Sequence, residues 1–413
     1  MRPPAAGYLS SMEPAREDDR GTWDLVVVGA GPAGAAAALG ALRTRPGLRV
    51  LLLDRAAFPR DKCCGDGIAP HALDVLRSLG VEDVAGGWTP LRRLELSRDG
   101  NDVTGRLARP VWVIPREVFD ARLVAHAVAA GAVLRTRRVR ALSRVGNRIE
   151  LDDGTRTRVV VGADGAHSTV RSCLAAGPPG RRALAIRGYA PTPPGRRGRQ
   201  VIRYGDRRQP SYAWAFDRGD GLSNVGYGEL VGGPAAPDAS GPTRAVLLEQ
   251  LERLLPGTVP DGDRWRAHHL PLSGRRWDHP DGRVLLSGDA AGLVNPMTGE
   301  GIYYAVATGL LAGRCAARAL ADGDGAAAGA AHRDAVRRLL GRHLRHTWVT
   351  AGLSRRPEVV DAGIRAAGRS QRVFDDLVEL GLGDGRITPH LAGGLAAELV
   401  RTAARTLAPP ARR

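Results

Sequence analysis

Apolar residues run unbroken through Leu25-Val26-Val27-Val28, pass into Gly29-Ala30-Gly31-Pro32-Ala33-Gly34, and resume as the alanine-rich stretch Ala35 to Leu42. A short apolar run, a cluster of glycines and a longer alanine-rich run predict a buried strand, a tight turn and a helix. A second apolar run, Val50-Leu51-Leu52-Leu53, ends in Asp54, twenty residues after Gly34. Strand, GxGxxG, helix and an acid at that distance make the pattern of a dinucleotide site. Gly29 allows the tight turn, Gly31 leaves room for a pyrophosphate, and Gly34 lets helix and strand pack closely, while the helix N-terminus offers unpaired N–H groups to the phosphates. Asp54 is the expected ribose acid, and Ala33 and Arg55 are assigned to the same site. Leu25 to Leu42 carries no charge over eighteen residues, the length of a membrane span. Its glycines and Pro32 fall where a strand-to-helix turn needs them, so no span is expected.

Val50 to Gly67, Val159 to Arg171 and Val284 to Gly313 each join an apolar strand to a glycine and an acid. The nucleotide-binding sheet is therefore expected to be assembled from separated stretches. Between them, Leu91 to Val113 and Ala183 to Leu272 alternate in polarity and are interrupted by loops such as Pro191 to Gly198 and Gly232 to Pro242, as in an antiparallel sheet. After Gly323-Asp324-Gly325, Ala/Leu/Arg runs over Ala326 to Arg355, Pro357 to Leu380 and Leu391 to Leu407 predict helices. The fold class is thus α/β: a discontinuous Rossmann-like domain, an antiparallel β-sheet substrate domain and a helical C-terminal extension. The expected boundaries are 21–90, 114–182 and 280–325 for the first, 91–113 and 183–279 for the second, and 326–408 for the helices. Residues 1–20, with prolines, acids and arginines but no apolar signal-peptide core, are expected to be a disordered tail, and Pro409 to Arg413 a frayed end.

At 413 residues the chain is long enough for a large core and two or three domains. Its net charge of +17 suggests nucleic acid at first, but of 60 basic residues only Lys62 is a lysine. Such an arginine skew, beside abundant Ala, Gly and Pro, is that of GC-rich coding. The arginines are spread along the chain without an RNP, helix-turn-helix or zinc-finger pattern, which argues against nucleic acid and leaves an anionic membrane surface or an acidic substrate as the better use of the charge. Cys63, Cys64, Cys173 and Cys315 have no metal-ligand spacing, and the adjacent pair does not suit a disulfide framework. A reducing cytoplasm and no metal are expected.

Val160-Val161-Gly162-Ala163-Asp164-Gly165 leads into a helix start, and Leu285-Leu286-Ser287-Gly288-Asp289-Ala290-Ala291-Gly292 is followed by Asn295-Pro296 and Gly299-Glu300-Gly301-Ile302. These segments resemble the DG and GD motifs of the FAD-dependent oxidoreductases of the para-hydroxybenzoate hydroxylase-like superfamily. The resemblance implies an FAD-binding domain of that type. In it Asp289 would accept a hydrogen bond from a ribityl hydroxyl, and the N–H groups around Gly301 and Ile302 would face the flavin pyrimidine edge at a helix N-terminus, where developing negative charge is stabilised. Arg116, before the expected helix Phe119 to Ala130, falls where the superfamily places a flavin-facing arginine. Val139, in the strand expected after that helix, matches the position where backbone meets adenine. Asp164 reads equally as a flavin contact or as a turn acid capping the next helix.

Two further segments resemble the geranylgeranyl reductase family. Phe58-Pro59-Arg60-Asp61-Lys62-Cys63-Cys64-Gly65-Asp66-Gly67 is similar to its PxxKxCG segment. Tyr212-Ala213-Trp214-Ala215-Phe216, with Gly219-Asp220-Gly221 and Asn224-Val225-Gly226-Tyr227-Gly228, is similar to its YxWxFP…GDG…NVGxG hairpin, Asp217 standing where proline is usual. Val373 to Val378 with Gly381-Leu382-Gly383-Asp384-Gly385 resembles the end of bacterial members, where the tail helps close an apolar tunnel for a prenyl chain. In a strand, positions 212, 214 and 216 share one face, so Tyr212, Trp214 and Phe216 would form one substrate-binding wall.

The resemblance implies an FAD-dependent reductase of isolated isoprenoid C=C bonds, with hydride from reduced FAD and a proton from Cys64, Tyr212 or water, Trp214 completing the catalytic wall. Lys62, Cys63, Cys64, Gly65 and Gly67 would lie beside the flavin, Lys62 as a compact ammonium charge. Cys64 best matches the motif cysteine and Cys63 stands one residue away; the thiol either donates a proton or packs. A flavin monooxygenase or halogenase acting on an aromatic or polyketide substrate shares the fold and FAD motifs and is the alternative. Prenyl-binding escort proteins also share the fold without redox chemistry, and the intact motifs argue against them. No second GxGxxG is present, so the electron donor is expected to be transiently bound NAD(P)H or a redox protein. A cytoplasmic protein, with peripheral membrane contact open to it, is the expected setting.

Overall fold

The computed structural model describes residues 22–174, 181–231 and 241–407; the expected N-terminal tail, most of the Gly232 to Pro242 loop and the expected frayed end lie outside the described residues. The first elements are β1 (Trp23–Val28), α1 (Pro32–Thr44), β2 (Val50–Asp54), β3 (Gly67–Ile68) and α2 (Pro70–Arg77). A hairpin of β4 (Leu91–Arg98) and β5 (Asn101–Val113) leads to α3 (Arg116–Ala129), β6 (Val133–Thr136), β7 (Leu142–Val145), β8 (Arg148–Leu151), β9 (Arg156–Gly162) and α4 (Thr169–Cys173). Then come β10 (Arg181–Pro191), β11 (Arg199–Tyr204), β12 (Tyr212–Asp217), β13 (Leu222–Val231), α5 (Arg244–Leu254), β14 (Asp263–Leu272) and β15 (Val284–Leu286). The last described elements are α6 (Ile302–Ala321), α7 (Ala328–Leu353), α8 (Pro357–Arg369), α9 (Gln371–Leu382) and α10 (Pro389–Leu407).

The first sheet has the order β6-β2-β1-β9-β8-β7, with β15 also on β9. Its centre is parallel: Val27 on β1 lies between Leu52 of β2 and Val161 of β9. Parallel strands covered on both faces carry continuous apolar runs, which is why Leu25 to Val28 and Val50 to Leu53 do not alternate. Helix α1 is buried along nearly its whole length. It meets α6 at backbone distance, since a Cβ added to Gly309 or Gly313 would stand 2.1 or 2.0 Å from the carbonyl oxygens of Ala33 and Ala37.

The second sheet has the order β14-β10-β13-β12-β11-β4-β5-β3. It is antiparallel except between β11 and β4, where Ile202 lies opposite Leu96 in a parallel pair. The sheet is thus antiparallel as expected, with one parallel seam where the β4–β5 hairpin meets the β11–β13 meander: the two come from separate stretches, so no tight turn dictates their relative direction. Alternation along β12 sorts its side chains: Ala213 and Ala215 belong to the core that includes Leu247 and Leu251 of α5, leaving residues 212, 214 and 216 on the opposite face.

Other differences are local. Helix α5 interrupts the segment expected to be β-rich; Thr243 caps it by accepting from the Val246 N–H at 3.4 Å, and Leu247, Gln250 and Leu251 make its buried face. Val139 is not in a strand. β6 ends at Thr136, and Val139 lies in the following loop, buried in the same cluster as Leu51 and Leu53. Helix α3 begins at Arg116, three residues before Phe119, with Pro115 at its N-cap. The expected helix Pro357 to Leu380 breaks at Ser370, whose extended backbone ends α8 and whose hydroxyl accepts the Val373 N–H at 3.4 Å to start α9. Among the described residues no helix is long and apolar enough to cross a membrane.

Candidate active site

A cavity of about 1150 Å³ lies where the two sheets meet. One end is lined by Gly29, Gly31, Asp54, Val139, Asp164 and Asp289, the other by Leu94, Ile202, Tyr212, Trp214, Phe216 and Leu377.

The glycine turn divides its labour as the sequence suggests. Gly29 has φ +98°, and a Cβ there would stand 2.3 Å from the Ala163 oxygen; at Gly34 it would stand 1.7 Å from the Gly29 oxygen. Gly31 differs. Its Cβ would meet no backbone, only the guanidinium groups of Arg60 at 3.5 Å and Arg116 at 3.8 Å and the Asp120 carboxylate at 3.9 Å. Two cations and a helix N-terminus around a side-chain-free position make a cradle that fits a diphosphate. Both cations are held by carboxylates. Arg116 is buried and forks onto Asp120 at 2.6 and 2.7 Å, while Arg60 bridges Asp120 at 3.0 Å and Asp54 at 3.2 Å. Burial works against the Arg116 charge, but Asp120 outweighs it and holds the guanidinium above its ordinary pKa. Asp54 also accepts the Ala30 N–H at 2.9 Å, which ties the acid to the turn. Asp120 and Arg60 were not expected from the sequence; the i, i+4 spacing of Arg116 and Asp120 on a helix was the available signal.

Asp164 accepts from the Ser168 hydroxyl at 2.5 Å and from the Thr169 and Val170 N–H groups at 2.7 and 3.2 Å. Of its two sequence readings, the capping one is met by these bonds, although the residue also lines the cavity. Asp289 pairs with Lys62 at 3.0 Å. Burial opposes its charge, yet Lys62 keeps the carboxyl below the usual range. Gly301 and Ile302 stand at the start of α6, and the adjoining Glu300 turns its Oε1 to accept the Tyr303 N–H at 2.9 Å. Arg55, Cys63, Cys64, Gly65 and Gly67 all line the cavity, as does Ala33.

The loop carrying Lys62 and the two cysteines is pinned from the second sheet. Arg187, fully buried on β10, donates to Asp61 at 2.6 Å, to the Lys62 carbonyl at 2.9 Å and to the Cys64 carbonyl at 3.2 Å. Asn224 on β13 donates to the Cys64 carbonyl at 2.9 Å and to Asp66 at 2.8 Å, and accepts from Trp214 Nε1 at 2.8 Å. Asp66 also accepts from the Tyr189 hydroxyl at 2.6 Å; burial pushes its carboxyl up to about 6. Cys63 donates to the Arg266 carbonyl at 3.1 Å, its thiol pushed by burial up to about 12. Cys64 lies within hydrogen-bonding reach of Arg116, and burial pushes its thiol up as well. Gly65 abuts the aromatic wall: a Cβ there would lie 3.5 Å from the Phe216 ring and 3.7 Å from Trp214 Nε1. Arg187 was missed, although a lone arginine inside the apolar run Ala183 to Ala190 is a signal in itself.

The three rings of β12 stand in sequence, Tyr212 to Trp214 at 6.0 Å and Trp214 to Phe216 at 6.4 Å between centroids. The Tyr212 hydroxyl donates to the Thr298 carbonyl. Asp217 points to the other face, where it accepts from the Gly198 N–H at 2.6 Å and the Gly219 N–H at 3.0 Å, so it closes the hairpin and brings no charge into the cavity. Helix α9 closes the apolar end with Leu377, Val378, Gly381 and Leu382. Its last turn is held by Thr298 and Asn295, which donate to the Gly381 carbonyl at 2.7 and 3.3 Å.

A family model described as "FAD binding domain" matches residues 22–193. The chain is 35% identical over 314 residues to the menaquinone reductase of Mycolicibacterium smegmatis, covering 70% of this chain and 75% of that protein. It is 33% identical to the geranylgeranyl diphosphate reductase of Rhodobacter capsulatus, covering 73% and 76%, and 32% identical to digeranylgeranylglycerophospholipid reductase 1 of Methanopyrus kandleri, covering 73% and 82%. In fold it is similar to a geranylgeranyl bacteriochlorophyll reductase-like protein from Thermoplasma acidophilum, with a TM-score of 0.73 at 18% identity over 94% of this chain and 99% of the other.

Proposed function

We propose that this chain, which belongs to the geranylgeranyl reductase family of FAD-dependent oxidoreductases, hydrogenates isolated C=C bonds of an isoprenoid substrate. The observation that carries the reading is that one cavity joins the anion-receiving turn at Gly31 to the ring wall of Tyr212, Trp214 and Phe216. A prenyl chain offers no polar group near its double bonds, so it must be held by shape and dryness, which rings and aliphatic side chains supply. The relatives named for geranylgeranyl diphosphate and digeranylgeranylglycerophospholipid support that substrate class.

FAD supplies the two reducing electrons when bound. In this reading residues 21–90, 114–182 and 280–325 hold it, 91–113 and 183–279 hold the substrate, and 326–408 cover the pocket. Gly29, Gly31, Ala33 and Gly34 receive the diphosphate with help from Arg116. Asp54 and Arg55 take the adenosine ribose, Val139 borders the adenine, and Asp289 takes a ribityl hydroxyl. The N–H groups of Gly301 and Ile302 serve the pyrimidine edge, and Asp164 fixes the turn beside it. Lys62, Cys63, Cys64, Gly65 and Gly67 form the loop along the remaining edge. Trp214, oriented by Asn224, excludes water from the reacting bond together with Tyr212 and Phe216. NAD(P)H or a redox protein delivers the electrons.

The test is anaerobic. Protein reduced with dithionite is mixed with geranylgeranyl diphosphate, menaquinone or digeranylgeranylglycerophospholipid, and reoxidation is followed by absorbance. A product two hydrogens heavier, formed without air, is expected. In a parallel run under 18O2, a product carrying one labelled oxygen would replace the reductase reading with the monooxygenase one.

A further inference from the structure

Six carboxyl groups line the cavity. Asp54 is held by Arg60 at 3.2 Å, Asp61 by Arg187 at 2.6 Å, Glu229 by Arg207 at 3.1 Å and Asp289 by Lys62 at 3.0 Å. Asp164 is spent on the helix cap. Glu300 is different: among the described residues it has no ion pair, and its side chain takes up only N–H groups at the start of α6, that of Tyr303 at 2.9 Å. Oε1 is thereby anchored at the helix start, and the residue lines the cavity.

Its neighbours fix where that oxygen works. A Cβ on Gly301 would lie 3.5 Å from Asp289 Oδ1, and a Cβ on Gly299 3.4 Å from the Tyr212 hydroxyl. Glu300 therefore stands between the acid assigned to the ribityl chain and the aromatic wall. The titratable groups around it are His71 from α2, Cys64 from the pinned loop, Tyr212 from β12, Asp289 after β15 and Tyr304 within α6. Burial pushes the Glu300 carboxyl up to about 7; the N–H groups of Tyr303 and Ile302 and the His71 imidazole only partly oppose it, and the Asp289 charge adds to it. The two groups the sequence favoured as proton sources hold theirs more tightly. Burial raises both the Cys64 thiol and the Tyr212 phenol, and Tyr212 already donates its proton to the Thr298 carbonyl. An acid poised near the working pH is the better donor.

We propose that Glu300 is the catalytic acid of this cavity, its carboxyl delivering the proton to the alkene carbon that does not receive hydride. The inference rests on the reductase reading. One alkene carbon gains hydride from reduced FAD, which is oxidised by two electrons. At the other carbon a C–H bond forms from the π pair as the Glu300 O–H bond breaks. The carboxylate left behind is reprotonated from solvent, and NAD(P)H or a redox protein restores the electrons.

Two readouts test it. In the FAD-free protein, infrared difference spectra between mildly acidic and alkaline solution should contain a protonated-carboxyl C=O band that titrates near 7 and is missing from Glu300→Gln, while the Asp66 band, titrating near 6, stays in both and is identified by its loss from Asp66→Asn. Absence of the Glu300 band from the wild type, or its survival in Glu300→Gln, overturns the proposal. In the anaerobically reduced holoenzyme with geranylgeranyl diphosphate as probe, Glu300→Gln should slow single-turnover reoxidation about a hundredfold, the scale of general acid catalysis. Glu300→Asp should recover part of that rate. The wild-type rate should fall as pH rises through neutrality and the Glu300→Gln rate should not. A wild-type rate and pH profile in Glu300→Gln overturns the assignment, as does loss of FAD from both variants. If the wild type is reoxidised by no isoprenoid, the reductase reading itself fails, and the infrared arm still decides whether Glu300 holds the proton.

Discussion

Replacing Arg187 by methionine keeps the apolar stem and removes every donor. Three bonds disappear, to Asp61, the Lys62 carbonyl and the Cys64 carbonyl. The losses are unequal. Asp61 retains Arg266 at 3.3 Å, an exposed partner, and the Cys64 carbonyl retains Asn224 at 2.9 Å. Breaking a buried pair costs about 3–5 kcal/mol, and a carbonyl left without a donor costs about 1–3 kcal/mol. With Arg266 and Asn224 absorbing part of this, a loss of about 4 kcal/mol is expected. It should fall on the loop that carries Lys62, so the Lys62–Asp289 contact and FAD affinity weaken together. Guanidinium unfolding of the FAD-free protein and fluorescence titration with FAD measure the two effects. Arg187→Lys should recover less than half of either, because one ammonium does not reproduce a planar fork reaching three acceptors. An Arg187→Met protein within about 1 kcal/mol of wild type, with unchanged FAD affinity, would refute the pinning argument.

Gly31→Ala and Gly34→Ala should part company. The first places its Cβ no nearer than 3.5 Å to any atom beyond its chain neighbours and should fold normally but lose FAD; the second meets the Gly29 oxygen at 1.7 Å and should fail to fold. Flavin content and thermal melts distinguish them, and full FAD retention in Gly31→Ala would count against the cradle. Trp214→Phe leaves Asn224 Oδ1 without its donor and should spare FAD while lowering turnover; loss of FAD with no selective effect on turnover would mean that the wall has been misassigned. His71 and Glu379 meet at 2.9 Å, and each holds the other charged, raising the imidazole above 6.5 and lowering the carboxyl below 4.5. The imidazole contribution is complete below 6.5 and fades as pH rises through its higher folded value, and the carboxylate contribution is lost as pH falls through its lower one. The unfolding free-energy difference between wild type and His71→Gln should therefore peak between pH 4.5 and 6.5; a difference independent of pH would dismiss the pair.

Much of the architecture was legible because parallel strands and glycine turns write themselves locally. Leu25 to Gly34 and Val50 to Asp54 state strand, turn and acid outright, and the alternation of β12 was enough to put three rings on one face. What escaped was set by partners far away in the chain. Arg187 acquires its meaning only when β10 is laid against the loop at 61–64, and Asn224 links Trp214 to that loop only after β12 and β13 pair. Glu300 sat inside a recognised motif, yet nothing local says that the other acids around it find a cation or a helix start to satisfy them. The parallel seam between β11 and β4 was likewise invisible, since strand direction between distant segments is a property of the assembled sheet.

The position of α9 on the far wall of the cavity governs when the protein becomes competent during its own synthesis. Leu377 to Leu382, which shut the apolar end, leave the ribosome about 350 residues after the phosphate turn. At about 5–20 residues per second that interval lasts roughly 20–70 seconds. From the emergence of Phe216, about 160 residues before Leu377, the ring wall lacks its cover, so nascent chains expose a greasy slot to chaperones and to one another. A cofactor seated on such an unfinished chain would face oxygenated water; the helix translated after both sheets is what turns an open nucleotide cleft into a chamber where electrons can be kept.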